Sequence, residues 1–370
     1  MDKTRFVLIG GFLGAGKTTL IGELARKYAE AGKTVGIITN DQADDLVDTH
    51  NLKSQGFAVG EVAGACFCCS FDELVATADS LSQSHVPDVL LAEPVGSCTD
   101  LVATVVLPLQ QILGDRFELA PFGVLLKPSH GRKILSQDAS KPLSGFSPQA
   151  EYIFRKQLEE ADYLMIGRSD QLSAEEIDRL RDALKHVVPD VPVIAISPKT
   201  GAGVDEALGY IESPMAAGRR LLDIDYDTYA AGEAELGWVN LTAMIDFSEP
   251  IDLDELAKSI VLATSKSVIE TYNGSIAHLK TSVLGGDSQA VANVVSNDGG
   301  ADVGLESGRS VQGTIQVIVN ARVAIDPSDL QKACETSLRG EAERHGATIQ
   351  SMSAHALRPG RPTPTHRVTS

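Results

Sequence analysis

The ten residues Gly10-Gly11-Phe12-Leu13-Gly14-Ala15-Gly16-Lys17-Thr18-Thr19 constrain this chain more than any other stretch. They follow the apolar run Arg5–Ile9 and lead into Leu20–Ala29, where apolar residues recur at helical spacing. The order is strand, glycine turn, helix. Within it, Gly11 to Thr18 fit G-x-x-x-x-G-K-[ST]. Glycines at Gly11, Gly14 and Gly16 let the backbone N–H groups through Ala15 to Thr19 close around phosphate oxygens, and the start of the helix adds the positive end of its dipole. Lys17 reaches the β- and γ-phosphates in such a loop, and the Thr18 hydroxyl ligates Mg²⁺. The motif in this setting implies a nucleoside triphosphate.

Composition narrows the setting. At 370 residues the chain is long enough for two domains. Asp2, Lys3 and Arg5 lead straight into a short strand, so no leader is read at the start, and no run is long enough to cross a membrane. A formal charge of −18 argues against nucleic acid, whose phosphates it would repel. Five cysteines, three of them clustered, are too few for a disulfide scaffold. The expectation is a cytoplasmic, reducing compartment.

Residues 1–212 alternate strand and helix. Strands are predicted at Phe6–Ile9, Thr34–Thr39, Val89–Ala92, Phe122–Leu126, Tyr163–Ile166 and Pro192–Ile196. Helices are predicted at Thr18–Glu30, Phe71–Ser84, Gln149–Glu160 and Ala174–Val187. That pattern predicts an α/β fold around a mostly parallel sheet. Ser70 with Glu73, and Ser173 with Glu176, read as capping boxes. Residues 213–237 read as a connector. Residues 238–357 carry a second pattern: strands at Trp238–Phe247, Ser275–Val283, Val311–Val323 and Ala347–Ser353, helices at Leu253–Thr264 and Ser328–Arg344, and a long loop over Gly285–Ser310 with room for a short strand at Ala290–Val295. This order suggests a smaller α+β domain of ferredoxin-like type. Residues 358–370 form an extended tail in which proline excludes helix.

Other nucleotide residues follow from strand ends, where catalytic groups of parallel sheets gather. Asp41 closes the second strand; it suits a water-orienting or Mg²⁺-linked acid, or a plain turn residue. Val89-Leu90-Leu91-Ala92-Glu93 is an apolar strand ending in an acid, the Walker B form, with Glu93 on Mg²⁺ and Gly96 placed to donate its N–H to the γ-phosphate. After Tyr163–Ile166 comes Gly167-Arg168-Ser169-Asp170. Asp170 suits acceptance from guanine, Arg168 can stack on the base, and Ser197-Pro198-Lys199-Thr200-Gly201 supplies a second base-side loop beginning at Ser197. No arginine finger is evident, so slow basal hydrolysis is expected.

Cys66-Phe67-Cys68-Cys69 precedes the helix that starts after Ser70. A helix N-terminus favours thiolate, and thiolates suit Zn²⁺, Cu⁺, Co²⁺ or Ni²⁺. Three ligands leave one position open, which suits exchange; Glu61 or water are candidates for it. A closed structural zinc site, a redox pair and inert buried thiols remain as readings. Cys98 and Cys334 read as buried core cysteines, and none of His50, His85 and His130 is assigned a role.

Together the Gly10–Thr19 loop with Phe12-Leu13, the C-x-C-C, the Glu-x-x-Gly Walker B and the late base loop resemble the CobW-type metallochaperone GTPases, relatives of the urease and hydrogenase nickel-insertion GTPases. The resemblance is specific over 1–212 and covers only element order over 238–355. It implies GTP and Mg²⁺ held by Lys17, Thr18 and Glu93, Asp41 as switch acid, Asp170 as guanine reader, and Zn²⁺, Co²⁺ or Ni²⁺ on Cys66, Cys68 and Cys69, for delivery to a client metalloprotein or corrinoid pathway. A nucleotide-dependent homodimer fits the same picture. This sequence departs from the family at Gly64-Ala65, Gly167-Arg168, Asn40-Asp41-Gln42-Ala43 and Leu126-Lys127-Pro128, and it lacks a histidine-rich loop. The rival readings are a nucleotide-dependent protein-binding switch without metal transfer and a P-loop kinase acting on a small substrate.

Overall fold

The computed structural model describes residues 3–40, 52–53, 55–62, 66–83, 85–135 and 147–369. Two compact units divide them. The first holds the residues before position 43, residues 56–232 and the terminal stretch from Arg361; the second holds residues 233–360 together with those described between 43 and 55.

In the first unit the elements run β1 (Thr4–Gly10), α1 (Lys17–Glu30), β2 (Val35–Asn40), β3 (Ala58–Val62), α2 (Phe71–Leu81), β4 (Val89–Glu93), a π-helical turn (Val102–Val106), α3 (Leu107–Leu113), β5 (Phe117–Leu119), β6 (Gly123–Leu126), α4 (Pro128–Ile134), α5 (Pro148–Glu159), β7 (Tyr163–Ile166), α6 (Ala174–Val187), β8 (Val193–Ala195), α7 (Val204–Ile211) and α8 (Tyr226–Ala234). The strands form a parallel sheet in the order β3-β2-β4-β1-β6-β7-β8, with β5 also paired to β1. Helices cover both faces of such a sheet, so its central strands bury nearly every residue. All of Val89–Glu93 is buried. Helix α1 turns Leu20, Ile21, Leu24, Ala25 and Tyr28 inward at helical spacing. Each fully buried leucine of this kind is worth roughly 1.5–3 kcal/mol. The Ser173–Glu176 capping box forms in full. The Ser70 box does not: Ser70 makes no side-chain cap bond, and the turn before α2 is closed by the N–H groups of Cys69 and Ser70, which both donate to Cys66 O at 2.9 Å. The stretch read as a connector carries α8, because Tyr229 is fully buried and its hydroxyl accepts from the Thr99 N–H at 3.2 Å.

In the second unit the order is β9 (Gly237–Asp252), α9 (Leu253–Tyr272), β10 (Ser275–Gly285), β11 (Ser288–Val294), β12 (Asp302–Leu305), β13 (Ser310–Ala324), α10 (Pro327–Arg344) and β14 (Thr348–Leu357). Its antiparallel sheet runs β12-β11-β10-β13-β9-β14. The four central and outer strands β10-β13-β9-β14 with α9 and α10 reproduce the ferredoxin-like order. The expected loop over Gly285–Ser310 is instead a hairpin and a further strand. Gly286 at φ 57° turns the chain between the paired Gly285 and Ser288, and Ala290, Ala292 and Val294 then face the core. Small residues hid that alternation from a hydropathy reading. Cys334 lies fully buried on α10, as expected of a core thiol.

Candidate functional site

β1 delivers the glycine turn to the carboxyl edge of the sheet. Gly11 has φ 138°, and a Cβ there would stand 2.5 Å from Leu125 O, so only glycine fits. Gly14 and Ala15 continue the turn, and Gly16, in the left-handed region, starts α1. Ala15 N–H donates to Phe12 O at 3.1 Å. Lys17 is buried, with Nζ donating to Gly11 O at 2.9 Å and standing 4.0 Å from Glu93 Oε1. The Thr18 hydroxyl donates to the same Glu93 oxygen at 3.1 Å. Thr19 follows on the first turn of α1 and is exposed. Glu93 itself is the last residue of β4 and is buried. Gly96 packs on the glycine turn so closely that a Cβ would meet Leu13 at 2.7 Å. Thus Lys17, Thr18, Glu93 and Gly96 converge. Asp41 lies outside the described residues.

The base-side residues border the same turn. Gly167 lies against Ala15 O, where a Cβ would approach to 3.3 Å. Arg168 takes the left-handed conformation at φ 53° and opens the short helical turn Ser169–Gln171, which carries Asp170 at the surface. Ser169 N–H donates to Ile196 O at 3.1 Å, which ties this turn to Ser197. Ser197 is buried, and among the described residues its hydroxyl oxygen has no hydrogen-bond partner.

At the start of α4, burial and the nearby charges of Arg168 and Lys133 pull the Lys127 ammonium down to about 7. Its Nζ sits 3.2 Å from His130 Nε2. The His130 ring in turn packs edge-on against Phe12 and Phe154. His130 is therefore a packed core residue next to the nucleotide turn. His85 is exposed on a loop, and His50 lies outside the described residues.

The thiols lie beyond β2. Asn40, at its end, accepts the Phe67 N–H at 2.8 Å and donates to Val62 O at 2.9 Å. One side chain thus ties Cys66–Cys69 to the sheet edge that carries Glu93, since Thr39 is paired with Glu93. Phe67 is fully buried and anchors the turn. Cys66, Cys68 and Cys69 have sulfurs within 4.8 Å of one another. The separations are 2.9 Å for Cys66–Cys68, 3.2 Å for Cys66–Cys69 and 3.8 Å for Cys68–Cys69. Cys66 and Cys68 are buried and Cys69 is half-buried. Close contact with the Cys68 and Cys69 sulfurs holds the Cys66 thiol well below the usual range, while the contact with Cys66, together with burial, pushes Cys69 up to about 11. An ion with bonds of about 2.3 Å to sulfur spans tetrahedral edges of roughly 3.8 Å, so the donor set fits zinc once Cys66 opens by less than ~1 Å.

Residues 5–195 match the family model described as the CobW/HypB/UreG nucleotide-binding domain, more than half of the 370 residues. The chain belongs to the CobW/HypB/UreG family. The zinc chaperone CobW of Pseudomonas aeruginosa is 30% identical over 220 residues, 51% of this chain and 55% of that protein. The zinc chaperone YjiA of Escherichia coli is 20% identical over 284 residues, 75% of this chain and 82% of that protein. The match spans about half the length of the CobW relatives. Among solved structures, Zn(II)-bound YjiA GTPase from E. coli aligns over 91% of this chain and 99% of its own, at 16% identity and a TM-score of 0.39. The hydrogenase maturation factor HypB from Archaeoglobus fulgidus aligns over 56% and 88%, at 18% identity and a TM-score of 0.38. Among the described residues no helix is long and apolar enough to cross a membrane.

Two features of this CobW/HypB/UreG chain escaped the sequence reading. The terminal stretch crosses the thiols: Thr363 N–H donates to Cys69 Sγ at 3.3 Å, and Thr365 N–H donates to Cys68 O at 2.8 Å. The His366 ring packs edge-on against Phe71, and Arg367 Nε donates to buried Asp100 at 2.7 Å. Nothing local in a proline-broken tail signals such docking. The second is Cys98, which reads as lone in sequence and lies near enough to the cluster to act on the Cys66 and Cys68 thiols.

Proposed function

We propose that this chain is a GTP-hydrolysing metallochaperone that takes a thiophilic ion, with zinc first among Zn²⁺, Co²⁺ and Ni²⁺, on Cys66, Cys68 and Cys69 and passes it to a client metalloprotein. The observation that carries this reading is the shared sheet edge: the thiol turn hangs from Asn40 beside the strand that ends in Glu93. In this proposal the backbone N–H groups of Gly11 to Thr19 cradle the phosphates, Lys17 leaves Gly11 O to bridge the β- and γ-oxygens, and Thr18 with Glu93 holds Mg²⁺. Gly96 N–H senses the γ-phosphate, and Asp41 orients the water. Asp170 accepts from guanine, Arg168 covers the base, and the buried Ser197 hydroxyl is satisfied by it. Zinc is cargo, not a catalyst, and the thiolates that hold it must lose their protons as it binds. Nucleotide state then changes the grip on the ion by shifting the two turns that flank it.

The names of the relatives support the zinc assignment, and the family model supports the nucleotide. The test is zinc stoichiometry and affinity of the reduced full chain with GTP, GDP or ATP, each with Mg²⁺, in the wild type and in a Cys66→Ser, Cys68→Ser, Cys69→Ser variant. One ion per chain is expected in the wild type, with affinity differing at least about fivefold between GTP and GDP and indifferent to ATP. Absence of metal from the wild type in every nucleotide state defeats the chaperone reading and leaves a nucleotide-dependent binding switch.

A further inference from the structure

Helix α5 turns one buried stripe toward the glycine turn and the loop that leaves β4. Phe154, Gln157 and Glu160 recur at a spacing of three, which places them on one side of the helix, and all three are buried. Phe154 packs edge-on against Phe12 of the glycine turn, with ring centroids 5.9 Å apart. Glu160, which caps the helix, accepts from Val102 N–H at 3.1 Å and from the Thr99 hydroxyl at 3.4 Å. Between them, Gln157 Nε2 donates to Gly96 O at 2.9 Å and to Cys98 O at 2.8 Å. A side-chain amide nitrogen carries two hydrogens, so both go to carbonyls of the same loop. Cys98 N–H donates back to Val95 O at 3.0 Å, which turns the chain tightly between those carbonyls. The opposite side of Gly96 rests on the glycine turn, where a Cβ would stand 2.7 Å from the Leu13 side chain and 3.0 Å from its Cα. Gly96 is thus held between Leu13 and Gln157.

We propose that Gln157 is a positioning residue for GTP hydrolysis, which fixes Gly96 so that its N–H meets the γ-phosphate; this rests on the role given to Gly96 above. A backbone donor has no rotamer with which to correct its aim. Its direction is set by whatever holds the carbonyls around it, and a donor misplaced by about 1 Å can forfeit on the order of 100-fold in rate. One hydrogen bond would leave the loop free to pivot about it. Two, from a single buried amide, fix two peptide planes at once. GDP has no γ-phosphate, so its binding does not draw on Gly96. Gln157 therefore bears on GTP and on turnover but not on GDP. Phe154 supports the turn that cradles the phosphates common to both nucleotides, and bears on both.

The test is single-turnover GTP hydrolysis by the full chain, with affinities for GDP and for a non-hydrolysable GTP analogue, each with Mg²⁺. The variants are Gln157→Met, Gln157→Glu, Phe154→Leu and Gly96→Ala. Methionine keeps the length of glutamine without a donor, and an ionised glutamate keeps its shape but only accepts. Both Gln157 variants should slow turnover by about tenfold or more and weaken the analogue, while GDP binds as in wild type. Retained GDP binding also reports that the variants are folded. Phe154→Leu should weaken GDP and the analogue alike. Wild-type turnover in both Gln157 variants, or equal losses for GDP and the analogue, overturns the positioning role; if Gly96→Ala still loses the analogue selectively, the reading of Gly96 stands without it. If Gly96→Ala treats the two nucleotides as wild type does, the γ-phosphate role of Gly96 falls and the proposal falls with it.

Discussion

At the scale of single residues, two buried charges bend the stability of the first unit in opposite directions with pH. Glu160 is fully buried and accepts from Val102 N–H at 3.1 Å; burial pushes its carboxyl from an ordinary 4.5 up to about 8. Below the ordinary value both folded and unfolded chains hold the proton. Between about 4.5 and 8 only the folded chain keeps it, so stability falls as pH rises, by at most about 1.4 kcal/mol per pH unit. Lys127 acts the other way. Its folded value of about 7 lies below the ordinary 10.5, so stability rises with pH across that window. Urea midpoints of wild type and Glu160→Gln, measured from pH 5 to 9, check the first statement: the two curves should converge or diverge only up to about pH 8 and run parallel above it. Parallel curves throughout would contradict it. Gly11→Ala places a methyl group against Leu125 O at a positive φ, and should cost about 2 kcal/mol or more in thermal or urea unfolding, with loss of nucleotide binding.

At the scale of elements, the terminal stretch acts as a strap across the thiol turn. Thr363, Thr365, His366 and Arg367 each contact the first unit, and Thr363 covers the sulfur of half-buried Cys69. Deleting residues 361–370 should speed the reaction of Cys69 with a disulfide reagent several-fold while leaving Cys334, sealed inside α10, unreactive. Unchanged thiol kinetics would mean that the strap does not govern access. Arg367→Ala is the milder form, since it removes the Asp100 partner but leaves the Thr365 backbone bond. Elements also mark what was legible in sequence. The strand–turn–helix around Lys17 and the strand before Glu93 were readable because parallel strands buried on both faces leave unbroken apolar runs. Strand β12 and helix α8 were not, because Asp302–Leu305 is only four residues long and Tyr226–Ala234 is rich in alanine and polar residues, so neither carries a clear hydropathy period, and Tyr229 is held by Thr99, far away in sequence.

At the scale of the whole molecule, the proposed nucleotide and ion sites, if coupled through β2 and β4, must influence each other equally. If GTP·Mg²⁺ tightens zinc binding by some factor, zinc must tighten GTP binding by the same factor. Titration of a fluorescent GTP analogue with and without one equivalent of zinc, set beside zinc affinity with and without GTP, checks this; unequal factors would show that more than one ion binds. Sequence alone determined the phosphate loop, the Walker B strand and the three neighbouring thiols, because each is written in consecutive residues whose chemistry depends on local spacing. Only the tertiary structure decided that Asn40 ties the thiols to the Glu93 edge and that the terminal stretch lies over Cys69. Those contacts join residues that are tens to hundreds of positions apart, and nothing in the local pattern around any one of them encodes its distant partner.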